Sequence, residues 1–332
     1  MTNKTIKILL LLLLTLPLIA CKGKAKELFP TATPTVEALP TPTPLADRVV
    51  LITADIQDAW TLEQANSTLQ ELAAGSGLEF ETRPEIQVNE ITDDIKVLVF
   101  LSHPDNLGSL SNSALNTQFL VMSDQDWTPP GNVTIIKTDI NNQLFMAGYA
   151  VEELSDNFRG AGLLNSEESI QNTAFRNGAK YFCGLCNALI FPLNTYPLIK
   201  ELPQSSSPAE WVAGFNELFT NSILFIYVPP QAYSSDLFAF IAQTNVKVIG
   251  ISSPPAEAQP IWAGTFRIDG FSPMKDVWNN IIAGNGGKTI NASLYLADTQ
   301  NGFISPGKQL LIEKVIAEIQ AGRIYALDAM ND

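Results

Sequence analysis

The chain has 332 residues, of which 46% are hydrophobic and 16% charged, with 34 acidic against 20 basic side chains and a formal net charge of −14. That composition describes a globular chain and excludes a disordered one. The negative balance argues against a nucleic-acid partner, whose phosphates reward lysine and arginine.

The chain opens on an apolar run, residues 8–20, preceded by Lys4 and Lys7 and closed by Ala20-Cys21. A bilayer span needs about 20 apolar residues, so this run is too short. A basic start, an apolar middle and a small residue before the break describe a secretory signal peptide, residues 1–20. Leu18-Ile19-Ala20-Cys21 looks like a bacterial lipobox, in which the cysteine is lipidated and becomes the first residue of the mature protein. The alternative is an ordinary signal peptide cut near Ala20, with Cys21 incidental. Removing residues 1–20 takes away two lysines and no acid, leaving −16. Residues 21–46 then form the anchor and a Pro/Thr-rich tether, "FPTATPTVEALPTPTPLAD", too polar and proline-rich to fold.

From residue 48 strands and helices alternate. Residues 48–56, 97–102, 119–124 and 133–139 read as buried strands, and 61–77 and 142–154 as amphipathic helices. The rhythm continues with a strand at 158–164 and a helix at 169–182. Strands at 188–193, 223–228 and 246–251 alternate with helices at 209–219 and 236–244. A strand at 262–271, helices at 273–284 and 308–322, and a strand at 289–297 close the chain. Near-continuous apolar strands separated by helices mean parallel sheets covered on both faces. The expected fold is α/β, two doubly wound parallel-sheet lobes, with any ligand beyond the carboxyl ends of the strands.

The stretch "NNQLFMAGYAVEELSDNFRGAGLLNSEESIQNTAFRNGAK", with Gly160, Gly162, Phe175, Gly178 and Ala179, is similar to the middle of the basic membrane lipoproteins. These are nucleoside-binding proteins of ABC transporters. "KVIAEIQAGRI" (314–324) is similar to the family's closing helix, and "VVLITADIQDAWTLEQA" resembles its first strand and loop. The resemblance implies a type I periplasmic-binding-protein fold, with two lobes joined by three crossovers near 154–157, 255–262 and 285–290. Lobe 1 is then 47–155 plus 262–288, and lobe 2 is 156–261 plus 289–332. It implies a small-molecule ligand, a purine nucleoside, handed to an ABC permease by a protein anchored outside the membrane. Where the family carries an aspartate before its second crossover, this chain has Ser252 and Ser253, and its first loop has Asp55, Asp58 and Trp60.

On this topology the ligand-binding candidates are Asp58, Trp60, Asp124, Asn165, Glu167, Asn194, Tyr196, Tyr233, Ser253 and Trp262. Trp60 offers a ring for stacking, and Asp58 an acceptor for ligand hydroxyls. The alternatives are helix capping for Asp58 and Glu167, and ordinary turn chemistry for Asn194, Tyr196 and Tyr233. His103, the one histidine, has no nucleophile or metal-spaced partner around it and reads as a loop residue. No Gly-x-Ser-x-Gly, Walker or His-Glu-x-x-His motif occurs, so binding is expected over catalysis and no cofactor is implied. Cys183 and Cys186, in "KYFCGLCNALIF", follow a helix and precede a strand, the reverse of a redox dithiol. A local disulfide is the reading, against two free thiols or a redox or metal role. A ligand-sensing lipoprotein of the same fold, or a surface protein that binds nothing, are the rival functions.

Overall fold

A computed structural model describes residues 45–53, 56, 58–156, 158–183, 189–190 and 194–328. Cys21, the tether, Asp55 and Cys186 lie outside the described residues, so the lipidation and tether readings have no structural counterpart here. Residues 45–332 form one compact unit. Its buried cores draw only on residues between 49 and 326, so they are internal to it. No helix among the described residues is long and apolar enough to cross a membrane.

The first half of the chain runs β1 (Arg48–Ile52), α1 (Ala59–Gly75), β2 (Glu79–Arg83), β3 (Ile95–Phe100), α2 (Leu107–Ser113), β4 (Gln118–Ser123) and β5 (Val133–Lys137). There follow α3 (Ile140–Leu154), β6 (Gly160–Asn165), α4 (Ser169–Phe182), a small ladder of β7 (Leu189–Ile190) and β8 (Asn194–Thr195), and β9 (Leu198–Leu202). Next come α5 (Pro208–Phe219), β10 (Phe225–Tyr227), α6 (Ser235–Ala242) and β11 (Lys247–Gly250). The last part is β12 (Trp262–Asp269), α7 (Phe271–Ile282), β13 (Thr289–Asn291), β14 (Ser293–Ala297) and α8 (Pro306–Gln320).

Two six-stranded sheets result, with strand orders β13-β5-β4-β3-β1-β2 and β14-β12-β11-β10-β6-β9. Only β14 runs antiparallel to its neighbour within them. Both faces of each sheet are covered, which is why the strands read as unbroken apolar runs. In β1, Val49 and Leu51 face the core under α1 and α7, while Val50 and Ile52 face the one under α2. In the second sheet, α5 and α6 cover one face through Trp211, Phe215, Leu237 and Phe238. The other face is covered by α3, α4 and α8. Helices α3 and α4 cross at backbone contact distance. A Cβ on Gly178 would lie 1.8 Å from the Phe145 carbonyl oxygen, and one on Gly148 2.0 Å from that of Phe175.

The chain passes between the sheets three times, at places other than those expected. Helix α3 packs on the second sheet, in the core with Phe175 and Phe266, so the first crossover is 138–139, not 154–157. Strand β12 pairs with β11 and belongs to the second sheet, so the second crossover follows Asp269 and does not lie at 255–262. The stretch 289–297, read as one strand, is two: β13 pairs with β5 and β14 with β12. Ala292 between them is the third crossover. Four further elements were not expected. Strand β2, "EFETR", and β9, "LIKEL", are charged and only partly buried, and α2 has seven residues, "LGSLSNS". All three lack the apolar period that marks buried elements. The fourth, β8, pairs antiparallel with β7, which is the described part of the strand read at 188–193; residues 188 and 191–193 lie outside the described residues.

Candidate functional site

The carboxyl ends of strands from both sheets surround a cavity of ≈ 350 Å³. Asp58 and Trp60 follow β1, His103 follows β3 and Asp124 follows β4. Across from them stand Ile251 and Ser252, after β11, and Arg267 in β12. Gln143 in α3 closes one side; its amide donates to the Phe266 carbonyl at 2.7 Å. A smaller cavity of ≈ 180 Å³ shares Ile140, Gln143, Ile251 and Ser252 with the first and is completed by Asn165 of β6, Asn172 of α4 and Tyr227 of β10.

The wall is organised by one polar network that joins the two sheets. Asp58 caps α1, its Oδ2 accepting from the Thr61 N–H at 2.9 Å and the Thr61 hydroxyl at 2.7 Å. Its Oδ1 reaches across and accepts from the Ser253 N–H at 3.0 Å. Burial works against the Asp58 charge, but the bonds from Thr61 and Ser253 outweigh it and hold the carboxyl below its ordinary range. Arg267 donates to Ser253 Oγ at 3.3 Å and to Asp298 Oδ2 at 2.7 Å. Asp298 also accepts from Thr265, which in turn accepts from the Trp262 indole at 2.9 Å. The Arg267 guanidinium lies 4.4 Å from the Trp60 ring centroid, and Phe271 meets the same ring edge-on. A planar cation over tryptophan is a favourable contact where water is largely excluded, as it is around Arg267.

The expected residues divide. Asp58, Trp60 and Asp124 line the larger cavity and Asn165 the smaller, where the Asn165 amide nitrogen is buried without a partner. Ser253 sits behind the wall, bonded to Asp58 and Arg267. The others are placed differently. Trp262 is 1% exposed in the core beneath α5 and α6, because the first residue of β12 points into the sheet's covered face. Tyr196 is buried and donates to the Ala179 carbonyl at 2.6 Å, a structural tie. Tyr233 packs edge-on against Phe238 and Trp262, with its hydroxyl buried and unpartnered. Glu167 is exposed and accepts from the Gln204 N–H, lining neither cavity. Asn194 pairs with Ile190 in the small ladder. Cys183 is disulfide-bonded.

Sequence reasoning missed Arg267, Gln143 and Asp298. Arg267 left a trace, since a basic residue in "WAGTFRIDGF" is buried if the run is a strand, and a buried arginine requires partners. Nothing local pointed to Asp298, which lies 31 residues away. His103 lies on the wall, 3.1 Å from Ser123 Oγ and edge-on to Trp127. Among the described residues no group of three or more His, Cys, Asp or Glu side chains is placed to hold a metal ion.

No protein-family model and no curated protein matches this chain. Solved structures do. A transcriptional activator of the comK gene from Bacillus halodurans superposes with a TM-score of 0.61 at 12% identity, over 83% of this chain and 98% of that one. An ABC transporter solute-binding protein from Conexibacter woesei gives 0.60 at 13%, over 85% and 98%. A carbohydrate transporter solute-binding protein from Agrobacterium radiobacter, in complex with D-arabinose, gives 0.51 at 12%, over 81% and 100%. At such identities the likeness speaks for architecture alone. Two parallel-dominated sheets, three crossovers and these neighbours establish the type I periplasmic-binding-protein fold.

Proposed function

We propose that this protein is a lipid-anchored, extracytoplasmic solute-binding protein that captures a small polar molecule between its two sheets and presents it to an ABC permease. The observation that carries this reading is the ≈ 350 Å³ cavity at the carboxyl ends of strands from both sheets, lined by Trp60, Asp124, Gln143 and Arg267. Its size suits a metabolite, and an aromatic face with a few directed polar groups is the usual make-up of such a site. Contacts from one ligand to both sheets would favour the closed arrangement, and hinge motion at the crossovers would couple capture to release. The fold it shares with transporter solute-binding proteins supports the same reading. A purine nucleoside is the ligand implied by the resemblance of the central stretch, with Trp60 to stack the base and Asp124 and Gln143 to meet ribose hydroxyls.

A thermal-shift screen of residues 45–332 against nucleosides, sugars and amino acids tests this. A ligand at about 100 times its Kd stabilises the native state by about 2.7 kcal/mol. A rise in Tm with nucleosides, lost in Trp60→Ala, is the expected result. A shift with sugars alone would move the ligand class, and none with any compound, in protein shown by mass spectrometry to be ligand-free, would overturn solute capture.

A further inference from the structure

Two walls of the cleft grip each other directly. Asp58 and Trp60 stand at the start of α1, on the side of the first sheet. Ser253 follows β11 and Arg267 lies in β12, both on the side of the second. Two contacts cross between these pairs. Asp58 Oδ1 accepts from the Ser253 N–H at 3.0 Å, and the Arg267 guanidinium lies 4.4 Å from the Trp60 ring centroid. Each pair is also joined within its own side. Asp58 and Trp60 share the first turn of α1, and Arg267 donates to Ser253 Oγ at 3.3 Å. The four residues therefore close a ring that spans the two sheets.

Each member is oriented by a partner on its own side. Capping α1 takes one side-chain oxygen. Asp58 Oδ2 does that work, accepting from the Thr61 N–H and hydroxyl, so the bond from Oδ1 to Ser253 is beyond what the helix requires. Asp298 holds Arg267 at 2.7 Å, and Phe271 meets the Trp60 ring edge-on. Groups already fixed lose little further freedom when they meet. The contacts are also of the stronger kinds, a hydrogen bond to a carboxylate and a cation over tryptophan where Arg267 is only 6% exposed. Position adds leverage. In the first sheet β1 lies three strands, about 14 Å, from β5, which leads into the first crossover. A rotation at the crossovers that opens the cleft draws Asp58 and Trp60 away from Ser253 and Arg267.

We propose that Asp58, Trp60, Ser253 and Arg267 form a clasp that favours the closed cleft through the protein's own contacts, so that an occupant enters only when the clasp opens. The clasp contacts exist in the closed arrangement and are lost in the open one, which is the differential interaction that shifts such an equilibrium. A ligand that touches both sheets adds to this bias and does not create it.

The test uses residues 45–332, unfolded in urea, refolded and shown by mass spectrometry to carry no small molecule. Spin labels on Asp105→Cys and Gln231→Cys, exposed positions after β3 and β10, report the distance across the cleft by double electron–electron resonance. The labelled parent should show one short distance. Asp58→Ser keeps an oxygen for the helix cap but is too short to reach Ser253, and Trp60→Leu keeps bulk without the ring. Together they should lower the closed-to-open ratio by about tenfold or more, seen as a second, longer distance. Thr61→Val removes a bond to the same carboxylate without touching the contacts that cross, and should keep the parent's distances. Exchange of the Ser253 amide hydrogen should also quicken by about tenfold or more in Asp58→Ser alone, while that of Val50 in β1 stays slow. The proposal is overturned by a parent that is already open, by distances unchanged in Asp58→Ser/Trp60→Leu, by equal opening in Thr61→Val, or by Ser253 exchange indifferent to Asp58→Ser. None of these outcomes depends on which ligand the cleft takes.

Discussion

Glu152 is fully buried in α3, 0% exposed, and neither carboxyl oxygen has a hydrogen-bond partner at bonding distance. Burial, only partly offset by the nearby Gly160 N–H, pushes its carboxyl up to about 8. Its ordinary value is 4.5, so between pH 4.5 and about 8 the folded chain holds a proton that the unfolded chain has lost. Stability therefore falls as pH rises through that window, by up to ~1.4 kcal/mol per unit from this group. Glu152→Gln keeps the shape and removes the titration. Urea midpoints at pH 5, 6.5 and 8 should decline in the parent and flatten in the variant, with the variant the more stable at pH 8. Equal slopes in both would refute the assignment. Asp58 is the opposite case. Its bonds to Thr61 and Ser253 favour the charged form, so what it contributes is lost only as pH falls below the ordinary carboxylate range. The N-cap role of Asp58 was legible in the sequence as an alternative to ligand binding. The structure gives it that role and an inter-sheet bond besides, leaving Oδ1 one acceptor site for anything else.

At the scale of elements, helices α3 and α4 cross with their backbones in contact. Gly148 and Gly178 let two helix backbones touch, which a larger residue forbids. Gly178→Ala would place a methyl 1.8 Å from the Phe145 carbonyl oxygen, and backbone cannot yield as a side chain can. Overpacking of this kind costs about 1–3 kcal/mol, occasionally more. The urea midpoint should drop accordingly with an unchanged m-value, while Gly108→Ala, which meets nothing within 4 Å, should cost little. The helices α3, α4, α5 and α8 and the buried strands were readable because their apolar residues recur at 3.6 or lie in unbroken runs. Strands β2 and β9 were not readable. Each is an edge strand with partly exposed, charged side chains, such as Arg83 paired to Glu81, and edge strands need only one apolar neighbour.

For the whole molecule, the proposal of a tethered binding protein makes a claim on residues before the folded unit. Cys21→Ser should abolish acyl labelling and release the protein from the membrane fraction, with the folded unit unchanged in melting temperature. Labelling that persists in the variant would remove the anchor from the proposal and leave the cleft reading untouched. Acyl chains contribute about 0.8 kcal/mol per buried methylene, which is why two or more would hold a chain this size at a surface.

What the sequence determined by itself is the local alphabet: an apolar run ending at a cysteine, a proline- and threonine-rich stretch, and a body of alternating buried strands and amphipathic helices. Those follow from short-range periodicity and composition, which every stretch carries within itself. The class of fold followed from the alternation. Only the tertiary structure decided which sheet each element joins. Nothing in "WAGTFRID" says that it pairs with β11, nor in "TINASLYLA" that it divides between two sheets at Ala292, because pairing partners lie far off along the chain. The same distance hid the cleft network. Asp58 and Ser253 are 195 residues apart and Arg267 and Asp298 31, and their meeting is fixed by the crossovers, which long-range packing places and local pattern does not.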